Sequence, residues 1–353
     1  MKAGEDQRKI LIVLDWAAGH ATAYVSGLIY RPFFLKNGWH VEYVDWRKTS
    51  IDTVAKMAQD VRIVYLVKVP SLELVKKLRS HTSARLCFYL SDALWIVSEG
   101  NEWRNLSQIL SSSDMILTDN DAGKTYAQKF HPMVRKLAVG VPVEEFDKHR
   151  SQKLRHRDGK IMLGWVGSIG TVGALFRIKD ALLHICRKYP QAELRVLGAD
   201  SSHVRKPLGR IRYTCLPSYN EQEMIHEICD MDIGLFPAPF DMEEYSVRGP
   251  RKAMLYMAAR IPVVCQRAAG DFEALIHDGI NGMFAKSGKE WAQKLDLLVK
   301  DESLRRSMGE NGYRTVKANY TTEHVFRSLE NALTQLLEIG PRDGKVKDME
   351  SSR

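Results

Sequence analysis

The chain has 353 residues, 44% of them hydrophobic and 27% charged, enough for one large or two medium domains, each with its own core. No apolar run reaches the roughly 20 residues a membrane-spanning helix requires, and the run at 10–14 is too short for a secretory signal. Five cysteines without a C-x-x-C pair oppose a disulfide framework or a zinc ribbon and predict a cytoplasmic location, while a net charge of +9 favours anionic partners.

Residues 10–14 read as a buried strand, 15–20 as a turn, and 22–35 carry apolar residues at helical spacing. Strands follow at 41–44, 61–67, 85–90, 114–118 and 135–139, with helices at 51–59 and 71–80, the latter capped by Ser71. The basic run 148–160 holds no aromatic residue and reads as a solvated linker. Beyond it the alternation resumes, with strands at 161–166, 193–197, 211–215, 233–236 and 262–265. Helices are predicted at 177–188, 221–229, 251–259, 289–299, 302–318 and 322–337. Steady alternation of strand and helix means parallel sheets with helices on both faces. The expectation is an α/β chain of two tandem doubly wound, Rossmann-like domains, 1–147 and 161–321, facing across a cleft. A linker at 148–160 joins them, a helix at 322–338 packs back toward the first domain, and the polar tail 339–353 is disordered.

In such sheets ligands sit beyond the carboxyl ends of the strands, so the loops there are the places to search. Gly164, Gly167, Ser168, Gly170 and Gly173 dot the turn after the strand at 161–166, where backbone N–H groups can approach a phosphate; a purely structural tight turn would look the same. A loop with Arg248, Arg251 and Lys252 feeds a helix whose dipole is already positive at that end. Cations crowded there repel each other unless an anion such as a diphosphate fills the gap; the plainer alternative is a solvated basic turn.

Taken in order, the segments 164–168 and 232–237, Lys252 with 256–258, then 261–264 and 278–282 resemble the GT4 family of retaining glycosyltransferases, which have the GT-B fold. The segment 301–305, Met308-Gly309 and Asn319-Tyr320 are similar to that family's closing helices, and the resemblance covers 160–335 and, more loosely, the first domain. It implies transfer from a nucleotide-diphosphate sugar held by the second domain to a glycan, lipid-linked or small-molecule acceptor on the first, with no cofactor and no obligatory metal. Lys252 then clamps the diphosphate with Arg248 as a second cation. Gly167 and Ser168 touch the phosphates, Pro217 and Ser218 lie against the base, and Glu244 and Gly270 complete the donor site. In the first domain Gly19 brings backbone toward a phosphate. Asp92 stands beside the anomeric carbon, to orient an acceptor hydroxyl or act as a base, unless it is simply a helix N-cap.

The sequence departs from the family at its usual pair of glutamates, which would fall on Val247 and Leu255. An inactive nucleotide-sugar-binding or scaffold protein is therefore the alternative, ahead of an epimerase on the same scaffold. The strings Asp230-Met-Asp232 and Asp119-Asn-Asp121 could each offer two carboxylates to a divalent cation, but the resemblance makes the first structural and the second reads as a cap. Residues 30–36 are a candidate for peripheral contact with an anionic membrane, against an ordinary core helix. Nucleic acid is not expected, since only net charge speaks for it.

Overall fold

Strand Ile161–Val166 is apolar along its length and buried at every position, as a central strand of a parallel sheet covered by helices on both faces must be. The computed structural model describes residues 8–15, 21–92, 94–96, 102–152, 159–238, 249–267 and 271–339. They form two units, residues 1–140 with 322–353 and residues 141–321.

In the first unit the strands are β1 Lys9–Leu14, β2 His40–Asp45, β3 Ile63–Val67, β4 Arg85–Leu90, β5 Met115–Thr118 and β6 Val134–Lys136. They pair in the order β2-β1-β3-β4-β5-β6, all parallel. Strand residues alternate between two cores. Leu11, Val13, Val64, Leu66 and Phe88 face one side, and Ile10, Ile12, Tyr65 and Tyr89 the other. On that second side lies helix Thr322–Glu338, which contributes Phe326, Leu329 and Leu333. The predicted cap is formed: the Ser71 hydroxyl accepts from the Leu74 amide at 3.1 Å.

The second unit has β7 Ile161–Val166, β8 Ala192–Leu197, β9 Tyr213–Leu216, β10 Ile233–Phe236, β11 Val263–Gln266 and β12 Met283–Ala285. Their order is β12-β11-β10-β7-β8-β9, again parallel throughout. The winding reverses between β7 and β10, so the topological switch point, where doubly wound sheets receive their ligands, lies at the carboxyl ends of those two strands.

Three expectations change. Residues 148–152 are not linker but the end of helix Val143–Gln152. That helix is anchored by buried Val143 and Phe146 and by Arg150, which donates to the Ala259 carbonyl at 3.0 Å; its charged face reads as linker because only two apolar side chains hold it. Residues 30–36 belong to the core, for Tyr30 and Phe34 are buried and Phe33 stacks on Phe326 at 5.5 Å between ring centroids. Their aromatic side chains are not free for lipid, although Arg31, Leu35 and Lys36 stay exposed. The edge strand β12, three residues long, has no counterpart among the predicted strands. No helix among the described residues is long and apolar enough to cross a membrane.

Candidate functional site

Gly164 of β7 and Gly234 of β10 are register partners. A Cβ on Gly234 would lie 2.3 Å from the Tyr256 ring, so the missing side chain makes the slot in which that ring sits. From the slot the fully buried Tyr256 hydroxyl accepts from the Val166 amide at 3.0 Å and reaches the carbonyls of Gly164 (3.2 Å) and Leu235 (3.3 Å). Burial among these partners pushes the phenol far above its ordinary pKa, so it stays a neutral donor and acceptor. Tyr256 therefore pins helix Arg251–Ala258 to both strands of the switch point.

Lys252 precedes Tyr256 by four residues, one turn toward the helix N-terminus and on the same face. Its Nζ lies 5.4 Å from the Trp165 ring centroid and 5.8 Å from that of Phe236, the aromatic residues near the carboxyl ends of β7 and β10. Cation–π attraction to both rings helps hold the ammonium there. The helix end beside it has no side-chain cap, since Pro250 occupies the N-cap. Arg251 turns to Glu221 instead, in an ion pair at 3.2 Å.

The turn after β7 is held from two sides. Gly198, with φ at +90°, follows β8 so closely that a Cβ would stand 2.1 Å from the Gly167 carbonyl oxygen. Tyr219, after β9, donates its hydroxyl to that same oxygen at 3.1 Å. The loop bearing exposed Pro217 and Ser218 is thereby tied to the turn bearing Gly167 and Ser168. The amides of Gly167 and Ser168 are already used, because Gly167 donates to the Leu197 carbonyl (2.9 Å) and Ser168 to the Thr171 hydroxyl (3.0 Å). The amides left without a partner among the described residues are those of Ile169 and Gly170, which open the short helical turn Ile169–Thr171. The open amides of this turn therefore lie one or two residues along the chain from Gly167 and Ser168.

Leu255 is 1% exposed and packed in the core of the second unit, so the position that would carry a family glutamate is closed to any ligand in this structure. The segment 278–282 is structural: Asp278 accepts from the Phe284 amide at 2.8 Å, and the Asn281 amide group reaches the Leu275 carbonyl and the Thr315 hydroxyl. Gly19, Arg248, Glu244 and Gly270, with Val247, lie outside the described residues.

In the first unit no helix among the described residues begins at Asp92. Asp92 follows β4 with φ at +60° and is paired to Lys68 at 2.6 Å, itself at φ +52° after β3. The two D-x-D strings separate into individual tasks. Asp232 accepts from the Met162 amide at 2.7 Å, and Asp121 pairs with Lys136 at 2.9 Å. Asn120, not Asp119, caps helix Asp121–Ala127, accepting from the Gly123 amide at 2.7 Å. Among the described residues no three His, Cys, Asp or Glu groups converge as metal ligands would. Sequence reasoning missed Tyr256, Gly198 and Tyr219 as organisers; only Gly198, a glycine straight after a strand, carried a signal.

Residues 178–331 match a family profile described as "Glycosyl transferase-like". The capsular polysaccharide biosynthesis glycosyltransferase CapM of Staphylococcus aureus is 21% identical over 210 residues, covering 56% of this chain and 53% of CapM. The chain thus spans about half the length of that curated relative. Among solved structures, HepE of Anabaena in complex with UDP and glucose superposes with a TM-score of 0.70 at 13% identity, over 93% of this chain and 100% of that one. Sucrose-phosphate synthase of Thermosynechococcus elongatus also gives 0.70, at 14% identity, over 94% and 100%. By fold the chain is built of two Rossmann-like units of the GT-B type, and its residues 178–331 are similar to glycosyl transferases.

Proposed function

We propose that this protein transfers the sugar of a nucleotide-diphosphate sugar to a hydroxyl of a glycan, a lipid carrier or a small molecule, with retention at the anomeric carbon, in the cytoplasm. The observation that carries the reading is Lys252, its ammonium held over Trp165 and Phe236 at the switch point beside an uncapped helix end. Cleavage of the sugar–diphosphate bond develops negative charge on the leaving diphosphate, and a fixed cation aimed there lowers the barrier. The Ile169 and Gly170 amides and the Ser168 hydroxyl are the neutral donors toward the phosphates, with Gly167 shaping their turn. Pro217 and Ser218 flank the base. Arg248, Glu244, Gly19 and Gly270 keep the donor-side roles that the family resemblance implies, and Asp92 works on the acceptor side. No cofactor beyond the donor is required.

HepE has been solved with UDP and with UDP-glucose, which makes UDP the first nucleotide to try. Calorimetric titration with UDP, GDP and ADP is expected to show one preferred nucleotide, and failure of all three to bind would refute the donor site. Release of the nucleotide from labelled nucleotide sugars, with water or an added acceptor, then tests transfer. Buried Leu255 favours a second reading, a binder without turnover. Tight nucleotide-sugar binding with no release from any donor would decide for it.

A further inference from the structure

Three helices cover one face of the second unit's sheet: Lys179–Lys188, Ser201–Leu208 and Gly288–Lys300. They sink Leu182 and Ile185, Val204 and Leu208, Trp291 and Leu295 into one core, and the first packs against both of the others, so their outward sides form one continuous surface. Together the segments 177–191, 200–212 and 286–301 hold twelve Lys and Arg against five Asp and Glu, a net charge of +7 where the whole chain carries +9. All twelve except Lys294 are exposed. On the other core of the unit, helices Val143–Gln152 and Glu221–Cys229 reverse the balance, with two Lys and Arg against six Asp and Glu. The charge is segregated to one side.

Helix dipoles explain only part of this. Lys188, Lys206 and Lys300 stand in last turns, where cations are stabilised, but Lys179 and Lys289 stand in first turns, where they are disfavoured, each beside one carboxylate, Asp180 or Glu290. Ion pairs do not absorb the charge either. Lys188 and Lys300 share Asp296 at 2.6 and 2.7 Å, and Arg212 gives its guanidinium to the Pro190 and Ala192 carbonyls. Lys179, Arg187, Arg205, Lys206, Arg210 and Lys289 have no carboxylate within ion-pair distance among the described residues. Leu297, 44% exposed, stands one turn from Lys294 on one side and Lys300 on the other. No aromatic side chain is exposed in the three segments, so the bases of a nucleic acid have nothing to stack on.

We propose that this helical face of the second unit docks on a bilayer rich in anionic lipid. Cations spread over three helices, from first turns to last, match an extended negative surface better than a single small anion, and an exposed leucine among them enters the headgroup layer. Attraction of this kind is reversible and falls with salt. The three helices lie on the flank of the sheet, so docking leaves the switch point at the carboxyl ends of β7 and β10 open. Arg31 and Lys36 of the first unit play no part in it. The inference stands whether or not the protein turns over a nucleotide sugar.

The test is sedimentation of the full chain with vesicles of phosphatidylcholine alone and of phosphatidylcholine mixed with phosphatidylglycerol. The protein should sediment with the mixed vesicles and not with the neutral ones, and high salt should release it. Each Lys or Arg near such a surface is worth about fivefold in partitioning. The triple variant Arg205→Gln, Lys206→Gln, Arg210→Gln should therefore bind about 100-fold more weakly, with Tm and UDP titration as in wild type. Should it not fold, Lys179→Gln with Lys289→Gln, at the other ends of the helices, decides by an expected loss of about 25-fold. Leu297→Ser should weaken binding about fivefold and leave its salt dependence unchanged. Arg31→Gln with Lys36→Gln should bind like wild type. Equal binding to neutral vesicles, binding to neither kind, a triple variant within about threefold of wild type, or loss in the Arg31 and Lys36 variant each overturns the proposal. So does salt-sensitive self-association without vesicle binding, which would give the face to the carboxylates of a second copy.

Discussion

Tyr256→Phe removes one oxygen atom and nothing else, and the structure says what that oxygen does. It accepts the Val166 amide and donates to one of two carbonyls, all three partners buried beside the glycine slot. The variant takes from the Val166 amide the hydroxyl that accepts its hydrogen bond. An unsatisfied buried donor costs about 1–3 kcal/mol, so a loss of about 2 kcal/mol is expected. For a unit of this size that corresponds to a fall in Tm of about 4–8 °C by calorimetry. The Val166 amide should also exchange its hydrogen faster than in wild type, because its bond is the one removed. UDP should bind several-fold more weakly, since the pinned helix carries Lys252 one turn away. A variant that melts within about 1 °C of wild type with an equally protected Val166 amide would refute the pinning argument.

Lys252→Ala should weaken UDP binding by about 10–100-fold, the cost of about 1.5–3 kcal/mol for a charged hydrogen bond, with little change in Tm; unchanged affinity would remove Lys252 from the site. Gly198→Ala combines a left-handed φ of +90° with a Cβ 2.1 Å from the Gly167 oxygen. It should cost about 2–4 kcal/mol, read as a lower denaturation midpoint, and weaken UDP binding as the turn after β7 shifts. Leu255→Glu places a carboxylate in a site 1% exposed and should cost several kcal/mol, seen as a steep loss of Tm or of soluble protein. A variant that melts like wild type and binds UDP more tightly would show that Leu255 opens to the nucleotide.

The sheets were legible because central parallel strands are continuous apolar runs, as at β1, β3 and β7, and such runs declare themselves without neighbours. What escaped depends on pairs of residues far apart in the chain. Tyr256 becomes an organiser only because Gly164 and Gly234 lie side by side in the sheet, and nothing local to any of the three says so. The glycine turn is legible, but which of its amides stay open is not, because the amide of Ser168 is consumed by Thr171 three residues on and that of Gly167 by the neighbouring strand. The string Asp119-Asn-Asp121 reads as a cap, but the residue that caps is Asn120, which accepts from the Gly123 amide while its own amide group donates to Asp119. Helix Val143–Gln152 and strand β12 were missed for a simpler reason, too few apolar positions to reveal a period.

Helix Thr322–Glu338 has a consequence for the order of assembly during translation. It supplies Phe326, Leu329 and Leu333 to the core of the first unit, whereas residues 141–321 form the second unit as one unbroken segment. On the ribosome, then, the unit begun first is completed last: its sheet must wait for the whole of the second unit to be made before one of its faces can be covered. Ribosome-bound chains halted shortly before residue 322 should expose the apolar face of the first sheet to a holdase chaperone, while the second unit already resists protease.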